Sequence, residues 1–275
     1  MDTNHLAFFR KWFSDYVSGY YTDDPAQDQA VRLKHEHTDR VCKEIVMLGQ
    51  ALNLPSQDML LTETMALFHD LGRFEQYATY GTFEDARSEN HAALGLRELV
   101  KHDVLSVCSD EEQRLITKAI GYHNVRALPE NELERTLFFA KLLRDADKLD
   151  IWRVFIDYYD RRYEGTNSTI VLGLPNGSVC SPKILTALHL GRMADTRDMA
   201  TLNDYKLLQI SWVFDVNFEP TFRAVCERRY VEKIAATLPQ TREIREVVST
   251  VLAYLQKKGR PNSLERIGKM KTAWS

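Results

Sequence analysis

The sequence predicts an all-α protein, and three of its features point that way. Apolar residues recur at spacings of three and four along most of the 275 residues, the period of helices with one buried face. Breaks between these stretches fall on residues that stop helices, at Asp23-Asp24-Pro25, Asn53-Leu54-Pro55 and Leu71-Gly72. Strand character is confined to one short run, Thr169–Leu174, closed by Pro175-Asn176-Gly177, and an ordered loop fits it equally well.

Taken in order, Phe8, Phe9, Trp12, Phe13, Tyr16, Val17 and Tyr20 mark an amphipathic first helix, with an aromatic stripe that core packing explains. A second helix is expected from about Gln27 to Leu52 and a third from Met59 to about His69. The segment Tyr77–Arg87 is polar, aromatic and glycine-containing, and reads as a loop of functional length. Ser88 is placed to cap the next helix, which runs through about His102. Ser109, with Glu112 three residues on, forms a capping box ahead of Leu115, Ile116, Ala119 and Ile120. A long helix follows from about Glu132 to Tyr159, and others fit Pro182–Arg192, Leu202–Phe214, Pro220–Leu238 and Thr241–Lys257. Lys257, Lys258, Arg260, Arg266, Lys269 and Lys271 near the end read as a solvated basic tail.

Composition narrows the classes. With 44% hydrophobic and 27% charged residues, the chain has the make-up of a globular protein that can bury a large core. A net charge of -3 gives no electrostatic reason to expect a nucleic-acid polymer, although a small anion needs only a local basic pocket. Cys42, Cys108, Cys180 and Cys226 are far apart, which excludes a cysteine-rich zinc module and suits free thiols in a reducing compartment. No basic region followed by an apolar run opens the chain, and nowhere do the roughly 18 consecutive apolar residues of a membrane span occur. A cytoplasmic protein without a membrane partner is expected.

The residues that can carry chemistry stand on apolar stripes. His69-Asp70 ends the run Met65-Ala66-Leu67-Phe68. Neighbours on a helix point about 100° apart, so both side chains reach one site only where the helix stops, and Leu71-Gly72 supplies that stop. His123 shares a face with Ile116, Ala119 and Ile120; Asp147 shares one with Ala140, Leu143 and Ile151; His91 opens a helix with Leu94, Gly95 and Leu99. A lone histidine on such a face is usually a satisfied core residue. Several histidines and a carboxylate sharing that setting point to a cation, because a buried carboxylate is costly without one.

Together these segments resemble the HD superfamily of metal-dependent phosphohydrolases. The matching stretches are HTDRV at His37, ALFHDLGR around His69-Asp70, ENHAALG at His91, AIGYHN at His123 and LLRDADKLD at Asp147. They occur in the family's order, H…HD…H…H…D, with separations of 32, 1, 21, 32 and 24 residues. The resemblance covers roughly Val31 to Val154 and implies a helical HD core to which the later helices are added. It implies that His37, His69, Asp70 and Asp147 hold one metal, and that Asp70 bridges to a second held by His91 and His123. His35 and His37 face different ways on their helix, and the match to HTDRV selects His37. The implied cofactors are two divalent transition metal ions, iron, manganese, nickel, cobalt or zinc, with a bridging hydroxide as nucleophile and Asp70 and Asp147 as catalytic residues.

The sequence departs from the family in one place that bears on mechanism. Where single-metal HD nucleotidases carry a glutamate three positions after the HD aspartate, this chain has Arg73. Arg73 reads either as a phosphate contact or as the partner of an acidic neighbour such as Glu75 or Asp147. Lys148 and Arg144, which flank Asp147, and Arg126, just after His123, are further candidate substrate contacts. Asp150, one turn from Asp147, is a candidate for orienting a ligand. The function expected is hydrolysis of a small phosphate ester, nucleotide-like. The same six ligands also suit a mixed-valence di-iron oxygenase, and a regulatory module that binds a nucleotide without turnover is a third reading. Two regions are expected: 1–160, holding the first helix and the metal site, and 161–275, a helical extension packed on the same core.

Overall fold

The structure, a computed structural model, describes residues 1–160, 174–177 and 179–259. It divides into two compact units, Met1–Gly173 and Leu174–Ser275. Among the described residues every regular element is a helix, and none is long and apolar enough to cross a membrane.

The first unit holds α1 (Thr3–Ser18), α2 (Pro25–Ala51), α3 (Ser56–Phe68), α4 (Gly72–Tyr80), α5 (His91–Lys101), α6 (Asp110–Tyr122) and α7 (Glu134–Asp160). Their starts follow from local chemistry. The Asp2 carboxylate accepts the Asn4 and His5 amides, Asp24 accepts the Ala26 amide with Pro25 in the first turn, and Ser109 and Glu112 form the expected capping box. The two longest helices, α2 and α7, pack on each other; α3 lies against both, α6 against α3 and α7, and α4 against α2 and α5. Val41, Ile45 and Leu48, with Met65, Phe68, Ile116, Ile120, Phe139, Leu142 and Trp152, are fully buried where these helices meet.

Two local expectations change in this unit. The loop foreseen from Tyr77 begins later, because α4 continues to Tyr80, burying Phe74 and Gln76, and ends at Gly81 in the left-handed region (φ 65°). The cap of α5 is Asn90, which accepts the Ala93 amide; Ser88 instead donates its hydroxyl to the Glu84 carbonyl within the loop.

The second unit contains α8 (Pro182–His189), α9 (Leu202–Ser211), α10 (Glu219–Glu227), α11 (Tyr230–Ala235) and α12 (Arg242–Lys258). Here α9 is the buried centre, and α12 packs against α8 and α10. The single helix expected over Pro220–Leu238 is two, because Arg229 takes a left-handed conformation (φ 55°) that no glycine or proline announces. The turn lets Tyr230, Val231 and Ile234 be buried as well as Phe222 and Val225. Lys257 and Lys258 fall in the last turn of α12, where cations suit the helix dipole; the rest of the basic tail lies outside the described residues. So does the strand candidate Thr169–Leu174, apart from Leu174 itself.

Candidate metal centre

Six side chains from five places in the first unit converge. His37 stands on the buried face of α2 with Val41 and Ile45. His69 and His123 occupy the same position at the ends of α3 and α6, one residue past the helix. Each uses that position alike: Nδ1 lies 2.7 Å from the carbonyl oxygen three residues back, Ala66 for His69 and Ile120 for His123. Asp70 follows in the turn before α4, His91 is the first residue of α5, and Asp147 projects from α7. Close approach of α4 and α5 brings His91 to Asp70. A Cβ on Gly72 would overlap the His91 carbonyl oxygen and the Gly95 nitrogen, and one on Gly95 would come within 2.9 Å of the Gly72 nitrogen. The glycine after His69-Asp70-Leu71 is there for that contact.

The Asp70 carboxylate is shared between two sets of imidazoles. Its Oδ2 lies 3.5 Å from His37 Nε2 and 3.8 Å from His69 Nε2. Its Oδ1 lies 3.4 Å from His91 Nε2 and 3.8 Å from His123 Nε2. Asp147 joins the first set: its Oδ1 lies 3.2 Å from His37 Nε2 and 3.7 Å from His69 Nε2. In each of the triads His37–His69–Asp70 and Asp70–His91–His123, all three donor atoms lie within 4.8 Å of one another.

Burial and charge decide the protonation of these rings. Burial pushes His91 down, with Arg73 adding to it; burial and the neighbouring His91 and His69 drive His123 to about 3. Both are neutral at pH 7, and each keeps its one proton on Nδ1, which faces Asp85 or the Ile120 carbonyl. Two bare Nε2 lone pairs are left 3.0 Å apart beside a carboxylate oxygen. No proton stands between them, and a metal cation would satisfy all three donors. At His37, burial opposes protonation, but hydrogen bonds with Asp147 and Asp150 raise the pKa overall, so a metal there displaces a proton. Burial would raise Asp70 and Asp147, yet both stay well below the usual carboxylate range, Asp70 through Lys34 and His69 and Asp147 through hydrogen bonds with His37 and His69. Four imidazoles, two ionised carboxylates and no thiol suit a first-row transition metal.

The predicted substrate cations take varied places. Arg73 is turned to the loop after α4, donating from Nη1 to the Phe83 carbonyl at 2.5 Å, to Gln76 Oε1 at 2.9 Å and to Asp85 Oδ1 at 3.0 Å. Its Nε is 3.5 Å from Asp70 Oδ1, and neither Glu75 nor Asp147 is its partner in these bonds. Arg144 is buried, with Nη1 donating to the carbonyls of Tyr122, His123 and Val125, so it closes the end of α6. Arg126 is exposed, and Lys148 is half-buried on α7 beside Asp147.

Sequence reasoning missed Lys34, whose Nζ donates to Asp70 Oδ2 at 2.8 Å under the ring of Phe83. Its signal was present, since Lys34 lies one turn before His37. It also missed Asp85, whose carboxylate sits 2.8 Å from His91 Nδ1. Burial raises Asp85, but His91, Arg73 and Gln76 bring it down to about 2. Asp150 is placed against His37: its Oδ2 is 2.7 Å from His37 Nδ1, while Arg40 Nε donates to Oδ1 at 2.6 Å. His35 stands apart, against Phe13.

A family model for the HD domain matches residues 35–152, the stretch that holds every one of the six converging side chains. This part of the chain is an HD domain, a member of a superfamily made up mostly of metal-dependent hydrolases. Neither a curated protein nor a solved structure matches the chain.

Proposed function

We propose that this protein is a metal-dependent phosphohydrolase with a binuclear centre, acting on a small phosphate ester, nucleotide-like. One observation carries the reading: each oxygen of Asp70 faces its own histidine pair, and all four Nε2 atoms point inward. A four-ligand site has no use for His91 and His123. His37, His69, Asp147 and Asp70 Oδ2 would hold one ion; His91, His123 and Asp70 Oδ1 would hold the other. Bound there, two divalent cations lower the pKa of water and neutralise a phosphoryl oxygen.

The protein's own part is to keep the donors ready. Each histidine is anchored at Nδ1, by Asp150, Ala66, Asp85 or Ile120, which fixes its tautomer and leaves Nε2 for the metal. Asp147 is the more open carboxylate, with 16% of its side chain exposed against 5% for Asp70. That opening suits it to pass the proton of the attacking water outward as water attacks phosphorus and the P–O bond to the leaving group breaks.

The test is release of phosphate or nucleoside from a phosphoester panel, with manganese, cobalt or nickel supplied and oxygen excluded. Hydrolysis that persists without oxygen and disappears in Asp70→Ala supports the proposal. It is overturned if nothing in the panel is hydrolysed while iron-loaded protein gives a mixed-valence signal and consumes oxygen with an organic substrate.

A further inference from the structure

We propose that Arg73, Asp85 and His91 form a positioning relay for the second metal, and that the exposed loop carrying this relay leaves that metal the more weakly held of the two. The inference rests on the binuclear reading above and concerns residues outside the six ligands.

Asp85 opens a short 3₁₀ turn, Asp85–Arg87, in the connection between α4 and α5. Four side chains converge on its carboxylate. His91 Nδ1 lies 2.8 Å from Oδ2, Arg73 Nη1 3.0 Å from Oδ1, Gln76 Nε2 2.9 Å from Oδ1 and Asn124 Nδ2 3.4 Å from Oδ2. Besides His91, the carboxylate thus touches Asn124, the neighbour of His123. A carboxylate on Nδ1 fixes the ring's tautomer and rotation and strengthens Nε2 as a donor.

What holds Asp85 is a clasp between α4 and its own loop. Arg73 Nη1 also donates to the Phe83 carbonyl at 2.5 Å, and Gln76 Nε2 to Ser88 Oγ at 2.8 Å and the Glu89 carbonyl at 2.9 Å. Arg73 is therefore a positioning residue acting through Asp85, and the arginine of the HDLGR segment has work to do without touching substrate. The corresponding anchor of the first metal, Asp150, lies on a 27-residue helix with 1% of its side chain exposed, whereas 32% of Asp85 is exposed on a surface loop. Local openings of a loop take less free energy than those of a packed helix. Each opening frees the His91 ring and with it the second metal.

The experiment is a cobalt titration of the metal-free, full-length protein, followed by calorimetry and by cobalt absorption. Wild type is expected to fill in two steps, and His123→Ala identifies the weaker one by abolishing it. Asp85→Asn should weaken that step by about 10–100-fold and leave the tighter one in place. Asp85→Glu should recover much of the loss and restore the absorption of the second cobalt, which a purely structural role would not require. Arg73→Lys, which keeps the charge but loses the fork, should weaken the same step and serves if Asp85→Asn fails to fold. Two unchanged steps in Asp85→Asn, or equal weakening of both, overturns the relay and leaves the binuclear reading standing. Uptake of one equivalent by wild type overturns both.

Discussion

His37 and His91 each lie 32 residues before the histidine they pair with, and each rests Nδ1 on an aspartate that an arginine holds: Arg40 with Asp150, and Arg73 with Asp85. The second histidine of each pair ends a helix and rests Nδ1 on the carbonyl three residues back. The plan is shared, but the surroundings are not. The first half adds Asp147 as a further oxygen donor and Lys34 as a resident cation, and its anchor is buried between α2 and α7. The second has three donors, two of them neutral rings, and its anchor is on a loop. On the binuclear reading, similar donors should differ in grip according to what holds them.

The largest effect should come from the one residue common to both halves. Asp70→Ala removes the oxygen facing each histidine pair, so both metals and all hydrolysis should be lost; elemental analysis after desalting measures it. Retention of one tightly bound equivalent would mean that the halves are independent. Next in size, Gly72→Ala drives a methyl group into the α4–α5 crossing, where backbone atoms cannot yield cheaply. We expect a loss of about 1–3 kcal/mol in denaturant unfolding, with second-metal affinity reduced more than first, since His91 moves. Unchanged unfolding would show that the crossing is softer than its geometry.

Asp150→Asn should act on the first half alone. It keeps the shape but removes the charge between Arg40 and His37, and the tighter metal step should weaken by about 10–100-fold. A titration in which only the weaker step changes would reverse the assignment of the two halves.

The helical class and the order of the elements were legible from periodicity, which also shows His91, His123 and Asp147 as polar residues on apolar stripes, while the full set of six came from the resemblance. Selection of His37 over His35 needed the motif, since both sit near apolar arcs of one helix. Asp85 was not legible. It lies in an irregular segment, ten or so residues long, where no period says which side chain turns inward, and its partner His91 is already explained as a ligand. Nearness to motif residues makes Arg144 a candidate phosphate contact and leaves Arg73 between a phosphate and an acidic partner; in the structure Arg73 meets the Phe83 carbonyl and Asp85, an acidic partner the sequence did not single out, and Arg144 meets the carbonyls at the end of α6. The break at Arg229 left no mark because the residue forced into the left-handed region is neither glycine nor asparagine.

The smallest expected effect concerns Lys34 and separates the halves most sharply. Its ammonium neutralises Asp70 Oδ2, the oxygen facing His37 and His69, at 2.8 Å in a position with 18% of the side chain exposed. A divalent ion in the first half must take over that oxygen and tolerate the ammonium nearby. Lys34→Met preserves the aliphatic stem against Phe83 and removes the charge. The metal-free protein should then melt lower, because a buried carboxylate has lost its counter-charge. Affinity for the first metal should rise by about tenfold, equivalent to ~1.4 kcal/mol, since the ion no longer competes with a lysine. The second step should hardly move, because Asp70 Oδ1 faces away from Lys34 toward His91 and His123. Parallel calorimetric titrations of wild type and variant decide it: a weaker first step would make Lys34 a partner of the bound metal centre and not its competitor.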